Sequence, residues 1–413
     1  MSSVEPTSTQ PLHSPSSPSD AIACSLAAIR PVGTERVVQS AARGRVLAEP
    51  IRADRDSPAI DVSAMDGYAV AMASLLAGEL PVAGEVRIGH APPMLPAGAA
   101  LRIVTGAAIP PGADAVVKRE DVEERSASIR LSDERRATIR AGDHIRRRGE
   151  NASAGTEVLV AGSLVTAAAV GALASVGCAA PLVHRALRIA MLSTGDEVLP
   201  SDATHLAPWQ LRDSNGPALE ALFAGYRFLA PIERRHVADD EHAIAAAIAE
   251  ALREADALIL TGGVSMGHRD FVPAALSANG VRTLYHRVPQ RPGKPILGAV
   301  TDDGRPIFGL PGNPVSVLVT ARRIVLPALA RRAGLADGVL GGPDALVTVD
   351  EPDSKTISLW WHRLVRRIAF DRVRVSDLRG SGDVVGAAAA DGFVEIPPGA
   401  SGTGPWPFFR WMT

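Results

Sequence analysis

Only two cysteines, Cys24 and Cys178, occur in 413 residues. That excludes a disulfide framework and any cysteine-based zinc finger, and it fits a reducing compartment. Aromatic residues make up 4% of the chain, too few for a platform on which single-stranded nucleic acid stacks. An excess of one charge is also missing: 43 Lys and Arg stand against 45 Asp and Glu, a formal net charge of -2. An overall basic nucleic-acid binder is thereby excluded. The ten histidines show no HExxH or other ligand spacing, and His236 and His242 read as surface residues. No GxSxG marks an activated serine, and Gly293-Lys294-Pro295 lacks the Ser or Thr that a Walker A loop needs.

Long apolar runs are absent as well. The longest uncharged stretch, Gly162 to Val183, is mostly Ala and Gly, broken by Ser163, Thr166, Ser175 and Pro181. It predicts a buried helix, capped by Thr166 and ended by Gly177, and no membrane span. Ser, Pro and Thr dominate residues 1–20, with no early Lys or Arg. They read as a disordered leader and not as a secretory signal, so the expected setting is the cytoplasm.

Gly 38 and Pro 32 make the chain turn-rich, and its length allows about two to four domains. Residues 21–57 read as a short helical and extended start. From 58 to 150, short strand-like pieces alternate with Gly and Pro: Ala83–His90, Leu101–Val104, Ala115–Val117 and Ser128–Leu131. The arginines between Glu123 and Arg148 read as a solvated face.

The texture changes after about residue 186. An apolar run, Leu187–Leu192, ends in Ser193-Thr194-Gly195-Asp196-Glu197. Asn215–Gly225 reads as a helix. Glu241–Ala255 is amphipathic, with Ile244, Ile248, Ala251 and Leu252 on one face and acids at its start. A buried strand, Ala257–Leu260, leads into Thr261-Gly262-Gly263-Val264-Ser265-Met266-Gly267. Pro273–Ala278 reads as helix, Ile307–Leu310 as strand and Pro314–Ala333 as one long helix. Such alternation predicts a parallel sheet with ligands at the carboxyl ends of its strands. The loops 193–197, 261–270 and 311–314 all follow strands, so they should cluster at one edge. Residues 338–413 return to short strands, Val347–Val349, Ile357–Trp361, Ala369–Val375 and Gly392–Ile396, and suggest a small β-barrel or sandwich.

Each loop admits a plain and a chemical reading. Pro311-Gly312-Asn313-Pro314 is either a well-capped helix start or a set of free amides for an oxyanion, with Asn313 as the cap. Gly262, Gly263 and Gly267 are either a flexible turn or a close backbone approach to a ligand, beside Ser265 and Asp270. Asp196 and Glu197 are either a solvated turn or oxygen ligands for Mg²⁺. Lys294, held between Gly293 and Pro295, is either a surface lysine or a point charge for an anion. Asp66 before Gly67, in Ser63–Ala69, reads by itself as a turn residue.

Taken together, Ser63–Ala69, Arg147–Asn151, Ser193–Glu197, Asp213–Gly216, Thr261–Phe271, Pro292–Pro295 and Gly309–Ser316 resemble the molybdopterin molybdenumtransferases, the family that includes the E domain of gephyrin. The resemblance runs from about residue 21 to 400 with the motifs in order. It implies a multidomain α/β plus β fold. A discontinuous linker and dimerisation domain would comprise 21–57 and 151–186, with a β-rich domain inserted at 58–150. A central doubly wound molybdopterin-binding α/β domain would span 187–335, and a small C-terminal β-barrel domain 338–413. It further implies a homodimer whose cleft lies between the α/β domain of one subunit and the inserted domain of the other. The implied reaction takes adenylylated molybdopterin and molybdate, with Mg²⁺, and releases AMP.

On the same resemblance, Asp66, Glu197 and Asp270 are the catalytic residues, and Asp196, Glu197 and Asp270 ligate the metal. Ser63, Thr194, Gly195, Asp213, Asn215, Gly262, Gly263, Ser265, Lys294, Pro311, Gly312 and Asn313 bind substrate. A molybdopterin adenylyltransferase and molybdoenzyme maturation factors are the implied partners, with no nucleic acid and no membrane. His268 stands where relatives commonly place an acid, and Asn151 where some carry Asp. Those two departures bear on the metal ligands and on anion affinity, with His268 either a solvent-facing loop residue or a group near the oxyanion. A tungsten-inserting or adenylylating paralogue and a non-catalytic scaffold are the alternatives. The retained Asp66, Glu197 and Asp270 argue against the scaffold.

Overall fold

A computed structural model describes residues 11–263, 271–336 and 340–411. By compactness the chain divides into two units, one of residues 1–49, 161–170 and 179–413, the other of residues 50–160 and 171–178. No helix among the described residues is long and apolar enough to cross a membrane.

The first unit is built on a six-stranded sheet. Its order is Glu233–Val237, Ile189–Thr194, Ala257–Thr261, Pro306–Leu310, Leu297–Val300, Arg282–His286. The first four strands run parallel, and the last two add antiparallel. The all-parallel sheet expected from alternation is thus corrected at one edge. Only residues 301–305 separate Leu297–Val300 from Pro306–Leu310, too few for a crossover.

Helices cover both faces, which makes the sheet doubly wound. Ile244, Ile248 and Ala251 of Glu241–Glu254 pack with Val272, Leu258 and Leu260 on one side. Leu219, Val317, Ile324 and Ile22 pack with Met191, Ile259 and Phe308 on the other. Strands buried on both faces have no polar side to show, so Ala257–Thr261 reads as a continuous apolar run. Each fully buried Ile or Leu here contributes about 1.5–3 kcal/mol. Asp240 caps the Glu241–Glu254 helix by accepting from Ala243 N at 2.8 Å.

The end of the Ser/Pro-rich stretch, residues 18–20, is helical and not disordered. A helix starts at Pro18 and runs to Ala28, with Ser17 accepting from Asp20 N at 3.0 Å. A serine cap followed by proline is a helix-start signal that the Ser/Pro-rich composition conceals. Ser25 of this helix sits 3.0 Å from the buried Tyr285 hydroxyl.

The single long helix expected over 314–333 is interrupted. Pro314–Thr320 and Leu326–Arg332 are α-helical, and Ala321–Val325 between them is a π turn. Pro327 has no amide hydrogen to give, and a widened turn absorbs the missing bond. Arg322 and Arg323, both buried, reach from this turn into the C-terminal barrel. Arg322 donates to Arg410 O and to Asp344, each at 2.8 Å. Arg323 holds Glu395 through two bonds of 2.7 and 3.1 Å.

The expected small barrel is present. Trp360–Arg367, Arg372–Val375, Ala345–Asp350, Trp406–Arg410 and Gly392–Ile396 pair in sequence and close back on Trp360–Arg367. Strand Trp406–Arg410 escaped sequence reading because Pro405 and Pro407 flank Trp406 and mask the alternation. The strands expected at Ile357–Trp361 and Ala369–Val375 are displaced, because the chain turns back at residues 368–371.

The second unit holds another six-stranded sheet, ordered Ala115–Lys118, Gly67–Val70, Ala100–Ile103, Glu79–Glu85, Ser128–Arg130, Glu123–Glu124. Asp66 lies in a bend, as its sequence suggests, and from Gly67 the chain runs on as a strand between two neighbours. The nearby arginines are largely paired rather than merely solvated: Arg125 with Glu79 at 2.8 Å, Arg135 with Asp121 at 2.8 Å and Arg147 with Asp61 at 2.7 Å.

The helix expected within Gly162–Val183 is short, Ala167–Ser175. Thr166 does cap it, accepting from Ala169 N at 3.2 Å, and Gly177 follows at φ +70°. The burial expected of it is not found. Only Ala169 and Leu173 are buried, while Ala167, Ala168, Gly171 and Ala174 are exposed, since methyl-sized side chains demand little cover.

Candidate functional site

Four parallel strands end at one edge of the first sheet, in Thr194, Val237, Thr261 and Leu310. The turns that follow are stitched together. Gly262 N donates to Leu310 O at 3.2 Å. A side chain at Gly262 would put its Cβ 2.8 Å from Thr194 O and 2.9 Å from Thr194 Oγ1, at φ +87°. Glycine there is what lets the two loops meet. Gly263 lies beside the same hydroxyl, its missing Cβ 3.2 Å away. Thr194 Oγ1 is buried and has no hydrogen-bond partner among the described residues.

Gly195 follows, and the Glu197 carboxylate folds back over it, with Oε2 2.9 Å from where a Cβ would stand. Asp196 and Glu197 are exposed. Asp196 Oδ1 accepts from Asp239 N at 3.3 Å, which brings the turn 238–240 to this edge. In the sequence Asp239 reads only as an acid before the helix Glu241–Glu254, and the strand that delivers it, Glu233–Val237, hides its alternation behind charged residues at a sheet edge.

Asp213 is committed to structure. It accepts from Gly216 N at 3.0 Å and lies 3.6 Å from Arg234, holding the start of the helix Asn215–Phe223. Asn215 does reach the other loops: its Nδ2 donates to Gly312 O at 2.9 Å. Its Oδ1 is buried without a partner among the described residues. Thr194 Oγ1 and Asn215 Oδ1 are therefore two unsatisfied groups at one sheet edge, each costing about 1–3 kcal/mol unless a ligand or water meets it.

At the helix start Asn313–Pro314, one of the expected free amides is already taken. Asn313 occupies the cap position without a side-chain capping bond. Its Nδ2 donates to Ser381 Oγ at 3.0 Å, and Val315 N donates to Ser381 O at 3.1 Å. A loop of the barrel thus takes up the first available amide. A single chain segment could not reveal this, because Ser381 lies 68 residues away.

Between the α/β sheet and the barrel lies a cleft of about 570 Å³. Pro311 and Asn313 form part of it, and Arg291, Lys294, Lys355 and Arg363 bring positive charge. Arg363 is paired with Asp353 at 2.6 Å, while Lys294 is exposed and has no ion pair among the described residues. Arg291, Lys355 and Arg363 were not singled out in sequence. Nothing local marks them, and only the closure of the barrel brings the last two beside Lys294.

Ser63 and Asp66 belong to the second unit. Ser63 Oγ donates to Met65 O at 2.6 Å and tightens the turn before the strand. Asp66 is exposed, and its Oδ1 accepts from both Thr105 N at 2.7 Å and Thr105 Oγ1 at 2.8 Å. The Thr105 amide and then its hydroxyl hold the carboxyl below its ordinary range, with a smaller contribution from Arg119. Thr105→Val should therefore raise the Asp66 pKa toward the ordinary carboxylate value, read as a carboxyl carbon shift against pH. The associated stability, present above that ordinary range and lost as pH falls below it, should shrink. A titration identical to wild type would contradict this account of Asp66.

Asn151 is held by the Arg146 guanidinium and by Ser57 Oγ, the latter at 3.4 Å. Ser265, His268 and Asp270 lie outside the described residues. Among the described residues, no three His, Cys, Asp or Glu side chains gather as metal ligands. Asp196 and Glu197 remain a pair of exposed oxygen donors on one turn, of the kind Mg²⁺ accepts.

Comparison with known proteins adds an independent line. Residues 16–177 match a family model described as the MoeA N-terminal region, domains I and II. Residues 190–331 match one described as a probable molybdopterin binding domain. A molybdopterin molybdenumtransferase of Synechococcus elongatus is 38% identical over 313 residues, covering 72% of this chain and 75% of its own. One of Bacillus subtilis is 33% identical over 386 residues, covering 89% of this chain and 87% of its own. Among solved structures, the molybdopterin biosynthesis MoeA protein from Pyrococcus horikosii aligns with a TM-score of 0.74 at 27% identity, covering 97% of this chain and 100% of that one.

Proposed function

The chain belongs to the molybdopterin molybdenumtransferase family of molybdenum cofactor biosynthesis, and we propose that it inserts molybdenum from molybdate into adenylylated molybdopterin, releasing AMP. One observation carries this reading. Unsatisfied polar groups and glycine-opened turns at the sheet edge adjoin a cleft whose charged wall has more cations than acids.

The substrates are anions, and the reading gives each a place. The phosphate groups would lie on the turns at Gly195, Gly262 and Gly312, within reach of Thr194 Oγ1 and Asn215 Oδ1. The oxyanion would lie against Lys294, with Arg291 and Lys355 raising the local potential. Mg²⁺, held by Asp196 and Glu197 with Asp270, would neutralise phosphate charge as AMP departs. In the proposed homodimer, Asp66 of the other subunit, its carboxyl held below the ordinary range by Thr105, would add a fixed negative group to the cleft. No protein nucleophile is needed: a water oxygen would add to one phosphorus as the P–O–P bridge breaks and AMP leaves, and one water would be regained as the two thiol protons carry off a molybdate oxygen while molybdenum bonds the sulfurs. The proposed working form is a cytoplasmic homodimer, supplied by a molybdopterin adenylyltransferase and drained by molybdoenzyme maturation factors.

Lys294→Ala tests the oxyanion placement. Losing a charge-assisted contact of about 1.5–3 kcal/mol should weaken molybdate binding about 10- to 100-fold with the melting temperature unchanged. Equilibrium dialysis with molybdate alone measures it. Wild-type affinity in the variant would remove the oxyanion from this cleft.

A further inference from the structure

Two buried polar atoms in the cleft remain unexplained by an anion. Gln290 and His362 both line it, at 1% and 2% exposure. Gln290 Oε1 and His362 Nδ1 each lack a hydrogen-bond partner among the described residues.

Their chemistry is fixed by the partners their side chains do have. Gln290 Nε2 lies 3.1 Å from Gly293 O, so the amide must donate there and Oε1 is left as an acceptor. His362 Nε2 lies 3.1 Å from Glu395 Oε2, a carboxylate that Arg323 also holds. Nε2 therefore carries the hydrogen, and the neutral ring presents Nδ1 as a second acceptor. Burial favours that neutral ring.

The two acceptors share one face of a strand pair. Gln290 is the register partner of Trp360 in the parallel ladder, and His362 is the next residue along on the same side. An oxyanion can satisfy neither atom, because it brings no hydrogen. The missing group must be a donor, and two acceptors on one face ask for two donors on one edge of a ligand.

We propose that Gln290 and His362 read the 2-amino-4-oxopyrimidine edge of a pterin. This assignment rests on the reading of the cleft given above. A pterin carries its exocyclic amine beside the ring N3–H, two donors in a row. An adenine edge sets its amine beside a ring acceptor, which would face one of these acceptors unpaired. The cleft, at about 570 Å³, lies in the size range of small-molecule sites. Both atoms are buried, so a pterin edge reaches them only where a neighbouring side chain of the cleft wall moves aside while Gln290 and His362 keep their own bonds.

The test uses the full chain and three probes: pterin, its N2,N2-dimethyl analogue and molybdate. Wild type should bind pterin at least about tenfold more tightly than the dimethyl analogue, the worth of a lost hydrogen bond to a buried acceptor. Of Gln290→Met and His362→Phe, each checked for folding by its melting profile, the one that removes the acceptor facing the exocyclic amine should bind the two pterins alike, and both should keep wild-type molybdate affinity. Equal binding of both pterins by wild type overturns the proposal and leaves a structural water as the donor. Preference for adenosine over pterin overturns it as well. If molybdate binding itself is absent or independent of Lys294, the reading of the cleft fails instead, and the two failures are separable.

Discussion

Arg323→Met should cost about 3–5 kcal/mol of stability, the range for stranding one member of a buried ion pair. Arg323 and Glu395 are each 5% exposed. Burial pushes the Glu395 carboxyl up, but bonds from His362 and Arg323 outweigh it and hold the group at about 2. Glu395 thus has a folded pKa below its ordinary value. Its contribution is complete above the ordinary carboxylate range and is lost as pH falls from about 4.5 toward 2. Without Arg323 the acid limb of the stability curve should move to higher pH. Urea unfolding of the full chain between pH 3 and 7 measures both effects. The double variant with Glu395→Leu should recover much of the loss, since no buried carboxylate remains. A double variant no better than the single one would mean that packing against Phe409, which lies 4.9 Å from the Arg323 guanidinium, outweighs charge.

Gly67→Ala should disrupt the second unit. The added Cβ would stand 1.9 Å from Val117 O and 2.9 Å from Val117 C, both backbone atoms of the neighbouring strand. Backbone cannot swing aside, so relief requires the strand Gly67–Val70 to leave its ladder with Ala115–Lys118. We expect a loss of about 3 kcal/mol or more, at the upper end for overpacking. Amide exchange in residues 67–70 and 115–118 should accelerate together. An unchanged melting temperature and unchanged exchange would mean that this register is wrong.

The central sheet was legible because its strands are buried on both faces and its helices have one apolar side. Ala257–Leu260 and Ile307–Leu310 each lie within a strand of the structure, and Leu187–Leu192 overlaps one from Ile189 onward. Strands of mixed character were not legible. Glu233–Val237 carries charge at an edge, and Gly67–Val70 follows directly on the bend at Asp66. The π turn at Ala321–Val325 depends on one proline acting inside a run that otherwise reads as helix.

The site was legible only in pieces. Glycine-rich loops after strands mark the sheet edge by a local rule, and the structure brings Thr194, Gly262, Asn215 and Gly312 together there. Asp213 and Asn313 carry the same kind of local signal, yet their side chains are taken up by Gly216 and Ser381. Arg363, Lys355, Gln290 and His362 gave no signal. Their roles come from a barrel strand and loop meeting a distant turn, which no window of sequence contains.

The most direct measurement combines purified protein, adenylylated molybdopterin, molybdate and Mg²⁺, and counts AMP against metallated pterin. The account predicts one AMP for each molybdenum inserted, no AMP without the oxyanion, and a marked loss of both products in Glu197→Ala. AMP released without metal insertion, or full activity in Glu197→Ala, would contradict it.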